Sequence, residues 1–192
     1  MSATRPGTAL MVWNVVALNI GWWSCVLGAA LGPVWLGPAV IAVLVAIHLA
    51  LVPCRQRELA TLAAVGLIGY AADSLLVLAG AFEFPAAARV GAPSTVWMVA
   101  LWVNFATSLN VALYWLVKRP WLGAVLGAIG GPLAYVGGWQ FDALLAPSGP
   151  WVLTAWVAVQ WALATPLMLA VAVHIGRRLR QPVPLESAGA PA

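Results

Sequence analysis

Charge is what this chain has least of. Only 7% of its 192 residues are Asp, Glu, Lys or Arg. A soluble domain carries roughly 25%, so a water-soluble globule is excluded. Cysteine is scarce too. Cys25 and Cys54 are the only two, and they fall at membrane depths too different for a disulfide, leaving a small apolar packer and a loop thiol. No HExxH, GxSxG or P-loop occurs, nor a DxxD-type acidic pair, which removes the common hydrolase and phosphate-binding signatures. The net charge of +4 is scattered in short clusters. That pattern fits lipid headgroups and excludes a nucleic-acid partner.

What remains is apolar. Hydrophobic residues make up 64% of the chain, and mean hydropathy is +0.97. A membrane span needs roughly 20 mainly apolar residues, and six such segments can be laid out: 9–31, 33–52, 58–80, 94–116, 121–140 and 151–175. Gly32-Pro33, Pro53, Pro85, Pro93, Pro120, Pro147 and Pro150 punctuate them. The expected fold is all-α, a bundle of six transmembrane helices forming one domain over residues 1–180. A disordered cytoplasmic tail is expected over 181–192, which is rich in Pro, Ala and Gly. Arg5, Arg55, Arg57, Lys118, Arg119, Arg177, Arg178 and Arg180 fall on one side and only Arg89 on the other, which places both termini in the cytoplasm. Arg5, the apolar run and Gly28-Ala29-Ala30 also read as a cleavable leader. The run is long for one, however, and Asn14 and Asn19 are out of place in it.

Small residues recur at helical spacing in Gly21, Cys25, Gly28 and Gly32, in Gly66, Gly69 and Asp73, and in Gly123, Gly127 and Gly131. Such stripes let helices approach closely in lipid, or they line a ligand groove. Gly130-Gly131-Pro132 is expected to weaken segment five. Of the twelve tryptophans, Trp22, Trp23, Trp35, Trp97, Trp121, Trp139 and Trp151 lie near segment ends, as an interfacial belt requires. Trp102, Trp156 and Trp161 lie deeper, where an indole N–H wants an acceptor.

Asp73 is the one acid far from any segment end, and no Lys or Arg shares its segment. Ionisable groups inside a membrane face a protein interior or a wet cavity and default to function. It is expected roughly 6 to 9 Å beyond the middle of its segment, as a neutral carboxyl held by amides. Asn104 is nearest to it in depth, within a stripe that includes Thr107, Ser108 and Asn110. Asn14, Asn19, Gln160 and Thr165 are further hydrogen-bonding groups. The ligand-binding candidates are therefore Asn14, Asp73, Asn104, Thr107 and Asn110, with Asp73 the candidate catalytic acid–base. No metal or cofactor is expected. The alternative is haem held by His48 and His174, which share a depth near the cytoplasmic ends of their segments. Histidines there more commonly cap carbonyls or meet headgroups.

Four stretches carry a family resemblance. They are Trp13-Asn14 leading to Gly21-Trp22-Trp23-Ser24-Cys25-Val26-Leu27-Gly28, Asp73-Ser74-Leu75, Phe105-Ala106-Thr107-Ser108-Leu109-Asn110, and Gly127 through Tyr135. Together they resemble the proteobacterial inner-membrane proteins of the domain of unknown function numbered 2878, over about residues 10 to 175. The resemblance implies a small multi-helix inner-membrane protein without an established activity, whose relatives are often encoded beside fatty-acid-modifying genes. Three classes follow: an accessory that binds or transports a lipid or hydrophobic ligand, an intramembrane lipid-modifying enzyme using Asp73, and a scaffold for a neighbouring membrane enzyme. The expected partners are membrane lipids, with a membrane enzyme or a second copy of the chain. A cavity open to lipid would favour the first two classes, and a fully packed bundle the third.

Overall fold

The computed structural model describes residues 6–179. Arg5, Arg180 and the expected tail over 181–192 lie outside the described residues. Among those described there are six α-helices: α1 (Thr8–Leu31), α2 (Leu36–Leu51), α3 (Arg55–Leu78), α4 (Val96–Leu109), α5 (Pro120–Gln140) and α6 (Pro150–Arg178). Four of them, α1, α3, α5 and α6, are long and apolar enough to cross a membrane, and α2 and α4 are shorter apolar helices. Pro120 and Pro150 open α5 and α6, where a missing N–H costs no helix bond. Pro132 and Pro166 lie inside helices that continue through them, so segment five is not broken at Gly130-Gly131-Pro132.

Segment four is shorter than the sequence implies. The helix ends at Leu109, and residues Tyr114–Lys118 form a separate 3-10 turn. The hydroxyls of Thr107 and Ser108 donate to the carbonyls of Asn104 (2.7 Å) and Phe105 (2.6 Å), three residues back. Ser and Thr compete with the backbone in this way and favour helix ends. Leu113 N–H then closes the end on the Ser108 carbonyl at 2.8 Å.

Short as it is, α4 is the hub of the bundle. It packs against α1, α2, α3 and α6, while α5 and α6 form the most extensive pair and α1 pairs with α2. Glycines set these approaches. A Cβ at Gly69 would collide with the Trp102 ring, one at Gly127 with Thr165 and the Trp161 carbonyl, one at Gly131 with Trp161, and one at Gly37 with Cys25. The stripe Gly123, Gly127 and Gly131 is thus the α5 seam against α6, the ordinary use of small residues in lipid.

The loop between α3 and α4 folds inward as a cap. Ala81, Phe82, Phe84 and Ala88 are fully buried. Phe82 meets Phe84 and Tyr135 edge to face, each with ring centres 5.5 Å apart, and Phe84 meets Trp97 at 5.7 Å. Glu83 and Leu145 exchange backbone hydrogen bonds at 2.9 Å, tying this cap to the α5–α6 loop. Trp97 was expected in an interfacial belt. Instead it is 1% exposed and donates to the Ala88 carbonyl at 3.2 Å, because the cap covers it. Trp35, Trp121 and Trp151 are exposed, as belt residues are.

Candidate functional site: a buried carboxyl behind an aromatic-floored cleft

Asp73 is completely buried. Its Oδ2 accepts from Trp102 Nε1 on α4 at 2.8 Å, and its Oδ1 accepts from Gln160 Nε2 on α6 at 2.8 Å. The Tyr135 hydroxyl on α5 donates to Oδ1 at 2.6 Å. One side chain of α3 thereby ties together α3, α4, α5 and α6. The partners are an indole, a phenol and one amide, rather than the Asn104 stripe. Indole and amide N–H groups can only donate, so each carboxyl oxygen takes at least one donor that must find an acceptor. The Phe82 ring lies on Tyr135 from the cap side, and Asp73 has no opening to solvent.

The other predicted residues sort into separate places. Asn14 Nδ2 on α1 donates to Thr107 Oγ1 at 3.0 Å, and Asn104 Nδ2 donates to the Leu18 carbonyl at 2.9 Å. These three form a polar seam between α1 and α4, and Gly21 is what admits Asn104, whose amide a Cβ there would strike. Asn110 pairs with Arg57 Nη2 at the opposite end of α3 from Asp73. His48 is buried with Nε2 at 3.3 Å from Glu58 Oε2, joining α2 to α3. His174 is exposed on α6, and α2 and α6 are not a packed pair, so the two histidines are not brought together as haem ligands would be.

Beside the carboxyl knot lies a cavity of about 420 Å³. Small-molecule pockets span roughly 300–1,000 Å³. The cavity is walled by α1 (Leu18, Trp22) and α5 (Gly130, Ala134), with α4 and α6 beneath. Its floor is aromatic. Trp102 and Trp161 stack at 4.5 Å with planes 14° apart, and Phe105 meets Trp161 edge-on at 4.9 Å. Trp102 and Tyr135 both line the cavity and both bond Asp73, whereas Asp73 does not line it. Of the predicted ligand-binding residues, Asn104 reaches this cavity. Asn19, Leu126 and Gly130 line it and are also exposed, so it opens sideways between α1 and α5. At the capped end Trp22 rests against Gly137, and Trp23 meets Phe141 at 5.3 Å, which closes the gap. The Trp161 Nε1 is buried without an acceptor.

The sequence missed Trp102 and Tyr135 as partners of Asp73. Two signals pointed to Trp102: a deep indole needs an acceptor, and Gly69, one turn before Asp73, leaves room for a large ring. Tyr135 carried no such signal.

No curated protein and no solved structure matches the chain. A family model described as protein of unknown function (DUF2878) matches residues 11–167, most of the chain, including every residue that bonds Asp73 or lines the cleft. The protein therefore belongs to the DUF2878 family.

Proposed function

We propose that this protein binds a hydrophobic ligand, a lipid acyl chain or a molecule of similar character, in the cleft between α1 and α5. It would act as a binding or transport accessory in a bacterial inner membrane. The observation that carries this reading is the sideways opening of the cleft. Asn19, Leu126 and Gly130 are its exposed lips, and an apolar ligand in the bilayer meets such an opening without crossing water. An aromatic floor suits chains or flat rings. A scaffold without a ligand would fill this space with side chains, since helices associating in lipid do so through close packing. The enzyme reading fares worse, because Asp73 sits behind Trp102 and Tyr135 and does not touch the cavity. A general acid or base needs hydrogen-bond reach of the reacting atom.

Gly130 supplies the test. A Cβ there meets nothing within 4 Å, so Gly130→Leu fills the cleft without disturbing the α5–α6 seam. Native mass spectrometry of the purified wild type is expected to show a retained hydrophobic molecule, with occupancy roughly tenfold lower in Gly130→Leu. A wild type that carries no such molecule and takes up none from added lipid extract would end the proposal.

The membrane arrangement belongs to the same proposal: six spans, both termini cytoplasmic. The 16-residue α2 reaches about 24 Å and the 14-residue α4 about 21 Å, short of a hydrocarbon core of roughly 30 Å. For α4 this shortness is tolerable because protein surrounds it, and irregular backbone at membrane depth is accepted where it is buried. Cys54 is exposed between α2 and α3, while Cys25 is buried. A membrane-impermeant maleimide should therefore leave Cys54 unlabelled in spheroplasts and label it after permeabilisation. Labelling of intact spheroplasts would reverse the orientation.

A further inference from the structure

A second cavity, about 1210 Å³, lies at the end of the bundle where α1, α3 and α5 begin. The cap residues of those helices, Gly7, Cys54 and Arg119, line it, and none of the three helix starts has a side-chain cap hydrogen bond. Free N–H groups at helix starts favour anions. The carboxyl ends of α2 and α6 reach the same cavity, so helix dipoles alone decide nothing there.

Side chains decide it. Arg57, Lys118, Arg119 and Arg177 line the cavity against one acid, Glu58, whose Oε2 is already at 3.3 Å from His48. Cations at one end of a membrane bundle are ordinary. What that rule does not supply is unpartnered donors. Arg57 Nη2 donates to Asn110 Oδ1, which leaves Arg57 Nε and Asn110 Nδ2 buried in the wall with no acceptor. Both unpartnered side-chain atoms on this wall are donors. Buried donors without partners are costly, and their uncompensated positive dipoles behind the wall favour an acceptor-only ligand in the basin. Arg57 is held in place as its guanidinium crosses the backbone of α6 at Gly176, where a Cβ would lie 3.2 Å from Arg57 Nε.

We propose that this basin binds a phosphate-bearing anion through Arg57, Lys118, Arg119 and Arg177. The site is separate from the apolar cleft. The segment after α4 divides them, presenting Leu113 and Leu116 to the cleft and Tyr114 and Lys118 to the basin. The phosphate belongs either to a lipid headgroup, entering past the exposed Trp115 and Val117 on the rim, or to a soluble phosphate ester.

The test uses the full chain in nanodiscs of mixed phosphatidylglycerol and phosphatidylcholine, read by native mass spectrometry, with glycerol 3-phosphate titrated in parallel into phosphatidylcholine nanodiscs and read by thermal stability. The expected result is roughly tenfold preferential retention of phosphatidylglycerol, abolished in the double variant Lys118→Gln/Arg177→Gln. The charge-matched Arg55→Gln/Arg178→Gln, whose residues do not line the basin, should keep the preference. Saturable stabilisation by glycerol 3-phosphate, lost in the same basin variant, would assign the phosphate to a soluble ester instead. Equal retention of both lipids by the wild type, with no response to glycerol 3-phosphate, would overturn the proposal. So would equal loss in the two double variants. An empty cleft leaves this outcome untouched, so the two proposals fail separately.

Discussion

Asp73→Ala is expected to destabilise the folded bundle by about 3–5 kcal/mol, the lower part of what three buried donors left without an acceptor would cost at about 1–3 kcal/mol each. The substitution strands three groups at once: Trp102 Nε1, the Tyr135 hydroxyl and Gln160 Nε2, all bonded to the carboxyl at 2.6–2.8 Å. With Asp73 fully buried, no water replaces it unless the cap opens. Asp73→Asn keeps the shape and one acceptor oxygen but turns an amino group toward an obligate donor. Its expected cost is smaller, about 1–3 kcal/mol, the penalty for a single unmet buried polar group. Reversible unfolding in mixed micelles, with SDS as denaturant, would measure both. Wild-type stability in Asp73→Ala would show that the four-helix knot contributes nothing. Because Trp102 and Tyr135 also line the cleft, Asp73→Asn should weaken retention of a cleft ligand even where the fold survives. That links a structural carboxyl to binding without assigning it any proton transfer.

Much of the architecture was legible before the structure, and the reason is one-dimensional. Long apolar runs broken by proline gave helices whose ends lie within a few residues of expectation, apart from segment four, where Thr107 and Ser108 turned the chain. Asp73 was visible because nothing else in the interior resembles it. Gln160 was among the hydrogen-bonding groups set beside it, and it does bond the acid; Trp102 and Tyr135, 29 and 62 positions away, were not. Matching residues by depth fixes one coordinate and leaves the angle around the helix free. Trp102 and Asn104 differ by two residues, roughly 200° around α4. The first therefore faces α3 and the acid, and the second faces α1 and the Leu18 carbonyl. Thr107, one turn on from Asn104, follows it to Asn14. The polar stripe that sequence assigned to Asp73 thus serves the opposite side of the same helix. The cleft was illegible for a related reason: a glycine facing space and a glycine facing a neighbour read alike, as Gly130 and Gly131 do.

That distinction sets the second large effect. Gly69→Ala adds a single methyl group, yet a Cβ there would overlap the Trp102 ring. The indole cannot retreat cheaply, since its N–H is held by Asp73 at 2.8 Å and its ring stacks on Trp161 at 4.5 Å. Relief requires α3 and α4 to separate or the indole to leave both partners. The expected destabilisation is about 2–3 kcal/mol, the upper part of the overpacking range, despite the better helix propensity of alanine. Gly66→Ala, on the same face one turn earlier, meets only the tip of Val103 at 3.1 Å and should cost less than about 1 kcal/mol, because a valine methyl can yield. Gly130→Ala faces open space and should be neutral or stabilising by up to about 1 kcal/mol, the propensity difference alone. Unfolding of the three variants side by side tests the order. If Gly69→Ala behaved like Gly130→Ala, the Trp102 ring would have room the structure does not give it, and the acid–indole–indole stack could not be the rigid floor on which the binding proposal rests.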